Sequence, residues 1–433
     1  MKRYLIIFVL FMCSAVVLFG QEPKDSDTVW VNKIGSEVKN VKFSPDGQFI
    51  YAAALGRKPL KLSTETGEIL KEYDGLQFSN DARWTPLDIS TDGKWLISGD
   101  YGNELKIWDT ETGLVVKTLN TNNTESQNNK FNTVSISPDK RFVFATNMYW
   151  IGTETFIQSI LIWDLESGEL LKEIQSRFVT KVVASPDNKY FAVSYERSEG
   201  SKILPSEIDL YEMGTLNKII TLGKHDSKVS DISFSRDGTL LASCGWDGVI
   251  KIWDVEQKKM VNEIKDEYYG YSIGFIDNFK IIYGGGFFDQ KFMKIFNLQT
   301  NEILGRIKID HPIELDINNT KHYCVVANSD YILLFDYLVI TGINNSNSTS
   351  TELIKPNPTK NNTEINISIL INGNYDITVF DNNSQKIDVI YNGFLEMGVH
   401  TFTWNASKYP SGTYFCKITS NTFSKTYKIM VMK

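Results

Sequence analysis

Val229-Ser230-Asp231-Ile232-Ser233-Phe234, Ser235-Arg236-Asp237-Gly238, Leu240-Leu241-Ala242-Ser243-Cys244, Trp246-Asp247-Gly248 and Val249-Ile250-Lys251-Ile252-Trp253-Asp254 follow one another and decide the fold. Short apolar runs bounded by Asp-Gly turns read as antiparallel strands joined by tight connections. Met260 to Ile264 supplies a fourth strand.

The unit recurs about every 40 to 50 residues between Thr28 and Val339, the mark of a propeller or solenoid. Its first turn returns as Ser44-Pro45-Asp46-Gly47, Ser90-Thr91-Asp92-Gly93, Ser137-Pro138-Asp139-Lys140 and Ser185-Pro186-Asp187-Asn188, and in degraded form at Asp277-Asn278 and Asn318-Asn319. Seven copies begin near Val38, Thr85, Asn132, Thr180, Val229, Ser272 and Pro312. A four-stranded sheet cannot bury both faces alone, so such units stack radially and their large aromatics fill the wedge between neighbours. Residues 27–340 are therefore expected to form an all-β, seven-bladed β-propeller, with Trp108, Trp163, Tyr211, Trp253, Phe296 and Phe335 at equivalent packing positions. The seventh copy lacks a fourth strand, and a lone strand at Thr28 to Ile34 precedes the first. Pairing the two closes the ring and removes its open edges.

Trp108-Asp109, Trp163-Asp164 and Trp253-Asp254 make this region resemble WD-repeat proteins. The resemblance implies that His225, Ser243, Asp247 and Trp253 form a structural hydrogen-bonded tetrad. The same residue types compose a catalytic triad, but in this family they satisfy buried polar groups and brace a blade.

The tail alternates apolar and polar residues through Glu364 to Leu370, Tyr375 to Phe380, Lys386 to Tyr391, Val399 to Trp404 and Lys425 to Lys433. Six or seven short strands in about 80 residues predict a small immunoglobulin-like β-sandwich over 353–433. Pro356-Asn357-Pro358, Ile377 to Asp381, Gly398 to Trp404 and Tyr409-Pro410-Ser411-Gly412-Thr413-Tyr414-Phe415 resemble the C-terminal sorting domain of the type IX (Por) secretion system. That resemblance implies export across the outer membrane of a Gram-negative bacterium, contact with the type IX machinery, and removal of the tail near a linker at 341–352. An adhesive sandwich retained on the mature protein is the competing reading.

Lys2 and Arg3 precede an apolar run from Tyr4 to Phe19, the layout of a secretory signal over 1–20. A membrane anchor and lipidation at Cys13 compete with it, although Met12 is bulky for a lipidation site. No other apolar segment is long enough to cross a membrane, so none is expected in the mature form. The net charge of -7 argues against nucleic acid, which demands a basic face. Beyond the signal, Cys244, Cys324 and Cys416 form no disulfide framework, and Cys244 and Cys324 read as buried thiols. His225, His311, His322 and His400 lack metal-ligand spacing, and no cofactor is called for.

Long connections between second and third strands carry Tyr149 and Trp150, Arg197, and Phe287 and Phe288. Loops on a rigid frame are where function resides, and exposed aromatics suit a protein or carbohydrate partner on the propeller face. The expectation is a secreted or cell-surface binding protein that is not an enzyme. An extracellular hydrolase or lyase is the alternative, to which three or more carboxylates or histidines converging on the axis would point.

Overall fold

The computed structural model describes residues 28–340 and 354–433, apart from 77–84, 100–103, 122–129, 152–154, 177, 200–201, 288–289, 356–358, 370–372, 383–384, 396–397 and 420–423. The expected signal at 1–20, the linker at 341–352, Pro356-Asn357-Pro358 and Phe288 thus lie outside the described residues. The chain divides into two compact units, one ending at Gly342 and the other beginning at Ile343.

In the first unit the described strands form seven four-stranded antiparallel sheets. Blade 5 is Val229–Phe234, Leu240–Gly245, Val249–Asp254 and Lys259–Lys265, and blade 2 is Leu87–Ile89, Trp95–Gly99, Glu104–Asp109 and Val115–Asn120. First strands of successive blades contact one another and line the axis. Blade 7 has three consecutive strands and takes its fourth from the N-terminal side: Trp30–Lys33 pairs antiparallel with Tyr331–Asp336, Trp30 opposite Leu334 and Lys33 opposite Tyr331. The ring is closed by pairing its two ends. A single helical turn, Tyr337–Ile340, follows.

Side chains latch each blade to its neighbour. Trp30 donates its indole N–H to the Thr64 carbonyl at 2.8 Å and Asn32 its amide to Gly67 at 2.6 Å, joining blade 7 to the outer turn of blade 1. Further round the rim, Lys117 reaches the Leu165 carbonyl at 2.8 Å, Lys172 that of Leu216 at 2.7 Å, and Asn262 that of Leu298 at 2.7 Å. Each outer-strand side chain thus satisfies a turn carbonyl one blade on.

The Ser-x-Asp-x turns are built alike. Ser235 donates to Asp237 at 2.7 Å and accepts the Leu240 N–H at 2.9 Å, and the Ser44, Ser90, Ser137 and Ser185 turns repeat the pattern. The last turn position needs positive φ, met by Gly47, Gly93 and Gly238 at φ 68°, 72° and 75°. Lys140 and Asn188 stand there at φ 61° and 59° instead. Their strain is offset across blades: Lys140 pairs with Asp92 at 2.6 Å and Asn188 donates to Asp139 at 2.8 Å.

The core is a series of clusters between blades, and Trp108, Trp163, Tyr211, Trp253, Phe296 and Phe335 are all buried in them. Cys244, Cys324 and Cys416 are buried and free. The second unit is a sandwich of a three-stranded sheet (Ile354–Lys355, Asn362–Ile369, Gly398–Asn405) and a four-stranded one (Lys386–Leu395, Gly373–Phe380, Gly412–Thr419, Ser424–Val431). Ile365 and Trp404 from the first sheet, and Ile377, Val379, Cys416, Ile418 and Ile429 from the second, meet in its core.

Candidate functional site

Three arrangements of polar or aromatic side chains in the propeller invite a chemical reading. The first is the set in blade 5. Trp253 donates its indole N–H to Ser243 Oγ at 3.0 Å, Ser243 Oγ lies 2.8 Å from His225 Nε2, and His225 Nδ1 lies 2.9 Å from Asp247. A carboxylate only accepts, so Nδ1 carries the imidazole proton and Nε2 accepts from the serine hydroxyl. Asp247 also accepts the N–H groups of Asp226 at 3.0 Å and Val249 at 3.2 Å. Burial works against its charge, yet the His225 contact and these amides hold its carboxyl below the ordinary value. Ser243 and His225 are fully buried, and the serine oxygen already takes the indole N–H. A nucleophile must meet a substrate carbonyl, and this one is enclosed by its own blade.

The second arrangement lines the axis. Asp88, Asp231, Glu314 and Asp316 project from first strands, with Lys42 and Lys181 among them. Lys181 of blade 4 bridges Asp231 of blade 5 at 2.6 Å and Glu314 of blade 7 at 2.6 Å, a strap across the axis. The aspartates tie each blade to the next: Asp88 accepts the Ile136 N–H at 2.8 Å, Asp231 that of Ile273 at 2.9 Å, and Asp316 that of Phe43 at 2.7 Å. Burial pushes all three carboxyls up, Asp231 to about 6, against the pull of the lysines and the amides. Carboxylates do converge here, but they are occupied by backbone amides and lysine. Among the described residues, no group of three or more His, Cys, Asp and Glu side chains could hold a metal ion.

The third lies on the end of the propeller where second strands turn into third strands. Tyr149, expected there as an exposed contact, is buried at 7 % exposure, on a strand that runs on as a long ladder, Phe142–Ile151 against Thr155–Asp164. Trp150 sits near the end of that ladder opposite Phe156. Arg197 opens a two-stranded hairpin, Arg197–Glu199 with Lys202–Leu204. Phe287 ends the second strand of blade 6 and is 43 % exposed.

Phe287 has company that the sequence reading missed. Its ring meets Tyr269 edge-on at 5.2 Å, and Tyr269, 37 % exposed, stacks on Trp246, 39 % exposed, at 5.7 Å and 14°. Lys228 lies 5.3 Å from the Trp246 ring centroid. The result is a surface ridge of three aromatics from three connections. Its only signal was Trp246 in a turn, outside the wedge-filling set, and the Tyr268-Tyr269 pair before blade 6.

Comparison with known proteins places these features. The WD domain, G-beta repeat matches residues 87–109 and 216–254, and the secretion system C-terminal sorting domain matches 353–432. The propeller thus carries matches to WD repeats, and the second unit a match to a secretion sorting domain. Its repeats are similar to eukaryotic translation initiation factor 3 subunit I of Bombyx mori, 23 % identical over 53 % of this chain and 66 % of the relative. The subunit I proteins of Nematostella vectensis, at 23 %, and Culex quinquefasciatus, at 26 %, also match over 53 % of this chain. The chain thus spans about two thirds of the length of the curated relatives it matches, 66 % for the first of them. The tail indicates export through the type IX system to the cell surface or beyond. Among the described residues, no helix is long and apolar enough to cross a membrane.

Proposed function

We propose that this chain is a non-enzymatic contact platform displayed on or shed from the outer face of a Gram-negative outer membrane. In this reading residues 1–20 are a cleaved signal, 27–340 the propeller, 341–352 the linker and 353–433 the sorting domain engaged by the type IX machinery. The observation that carries it is that reactive-looking groups are spent on the frame: the Ser243–His225–Asp247 set ends on Trp253, and the axial aspartates end on neighbouring backbone. An aromatic ridge faces solvent, the surface type enriched in protein contacts. The matched relatives are themselves named as subunits, which supports a contact role.

Export is tested by removing residues 353–433 in a host with a type IX system. The truncated chain should accumulate in the periplasm and the full chain outside it; equal release of both would end the export reading. The axial carboxylates favour a second reading, an extracellular enzyme working at the axis. Turnover of chromogenic esters or glycosides that disappears in Glu314→Gln would establish it over the platform.

A further inference from the structure

The ridge on blades 5 and 6 already holds a cation of the chain's own. Lys228 already rests over the indole of Trp246 at 5.3 Å while its ammonium pairs with Glu196 at 3.1 Å. An ammonium near a tryptophan face is held by the ring quadrupole, so the chain fills part of its own surface with a cation. Asp226 is exposed and its N–H is tied to Asp247, and the Trp246 N–H bonds the Lys228 carbonyl at 2.9 Å, which draws this connection against the ridge. The Asp266 N–H bonds the Gly248 carbonyl at 2.7 Å, which brings the connection holding the exposed Glu267 over the same turn. Asp226 and Glu267 thus lie on connections bonded to the turn that carries Trp246, where Glu196 already holds Lys228.

Trp246 and Tyr269 stack on each other, which uses a ring face of each and leaves less open face for a sugar ring. We infer that the ridge receives a basic segment of a protein partner, whose lysine or arginine takes the place of Lys228 between Trp246 and Glu196 while an adjacent apolar side chain packs on Tyr269 and Phe287. This rests on the platform reading and names its partner's chemistry.

The test uses the full chain and two labelled, end-blocked peptides, Gly-Arg-Leu-Arg-Gly and Gly-Glu-Leu-Glu-Gly, followed by fluorescence anisotropy. The arginine peptide should bind at least about tenfold more tightly than the glutamate one, and Trp246→Ala should remove about tenfold of that binding. Lys228→Met discriminates, because it vacates the indole and frees Glu196: arginine-peptide binding should tighten several-fold. Unchanged or weaker binding in that variant, equal binding of the two peptides, or binding of neither would overturn the inference. Should Trp246→Ala melt early, Glu196→Gln serves in its place and should weaken binding. A cell-surface protein cross-linked to the propeller and retained equally by Trp246→Ala would leave the platform standing and defeat the basic-segment assignment alone.

Discussion

The two stretches that match the WD model end in blades 2 and 5, and each blade places a buried tryptophan at the same strand position, yet they satisfy its indole differently. In blade 5 the indole N–H of Trp253 starts a relay through Ser243 and His225 to Asp247. In blade 2 that of Trp108 goes straight to the Asp74 carbonyl at 2.6 Å, and Ser98, in the register position of Ser243, donates instead to the Pro86 carbonyl at 2.6 Å. Blade 3 follows blade 2, with Trp163 on the Asn120 carbonyl at 3.1 Å. A buried donor needs a partner, but not a particular one. The relay is thus one of two solutions to the same packing problem, which explains why a propeller can close with a single copy of it.

The largest effect tests the frame that both blades share. Deleting residues 21–35 removes the strand paired with Tyr331–Asp336 and both rim latches from Trp30 and Asn32. Two sheet edges open. The melting temperature should fall by many degrees and the transition should broaden; an unchanged melt would mean that the ring is held without this strand.

Next in size is the loss of the relay's centre. His225→Ala leaves the buried Ser243 and Asp247 without their shared partner and opens a cavity, costing about 2–4 kcal/mol in urea unfolding. The sequence of blade 2 holds no histidine to lose. If His225→Ala cost no more than about 0.5 kcal/mol, the relay would be ornament and the two blades equivalent.

Acid should separate the blades as well. Against a burial cost, His225 and backbone amides hold the Asp247 carboxyl below its unfolded value, so the folded blade binds fewer protons there. The stability it adds is complete above about pH 4 and is lost as pH falls through the lower folded value. Asp247→Asn should therefore trail the natural chain by about 1–2 kcal/mol at pH 7, with the gap closing toward pH 3. A gap that stays constant with pH would show that the carboxylate charge is irrelevant to blade 5.

Much of this architecture was legible because it is local and periodic. The Ser-x-Asp-x turns, the seven repeated copies and the unpaired strand near Trp30 each lie within a short window, and together they specified the closed ring. The sandwich strands were read the same way, the expected Tyr375 to Phe380 appearing as Gly373–Phe380. What escaped is what the ring brings together from afar. Lys181 meets Glu314 across 133 positions, and Trp246, Tyr269 and Phe287 touch only because blades 5 and 6 are neighbours. Tyr149 departs for the opposite reason: a loop was expected where the strands run on, and its side chain is buried.

The finest distinction between the blades rests on two serines at one register position. Ser243 serves two buried neighbours, accepting from Trp253 and facing His225 Nε2, whereas Ser98 serves the Pro86 carbonyl. Ser98→Ala gives up one hydrogen bond, about 0.5–1.5 kcal/mol. Ser243→Ala strands an indole N–H and an imidazole nitrogen together, so it should cost about 1 kcal/mol more than Ser98→Ala, read as the difference between two urea midpoints at unchanged slope. Equal costs would mean that Trp253 finds another acceptor when the hydroxyl is removed, as Trp108 already does, and that the relay of blade 5 can relax into the arrangement of blade 2.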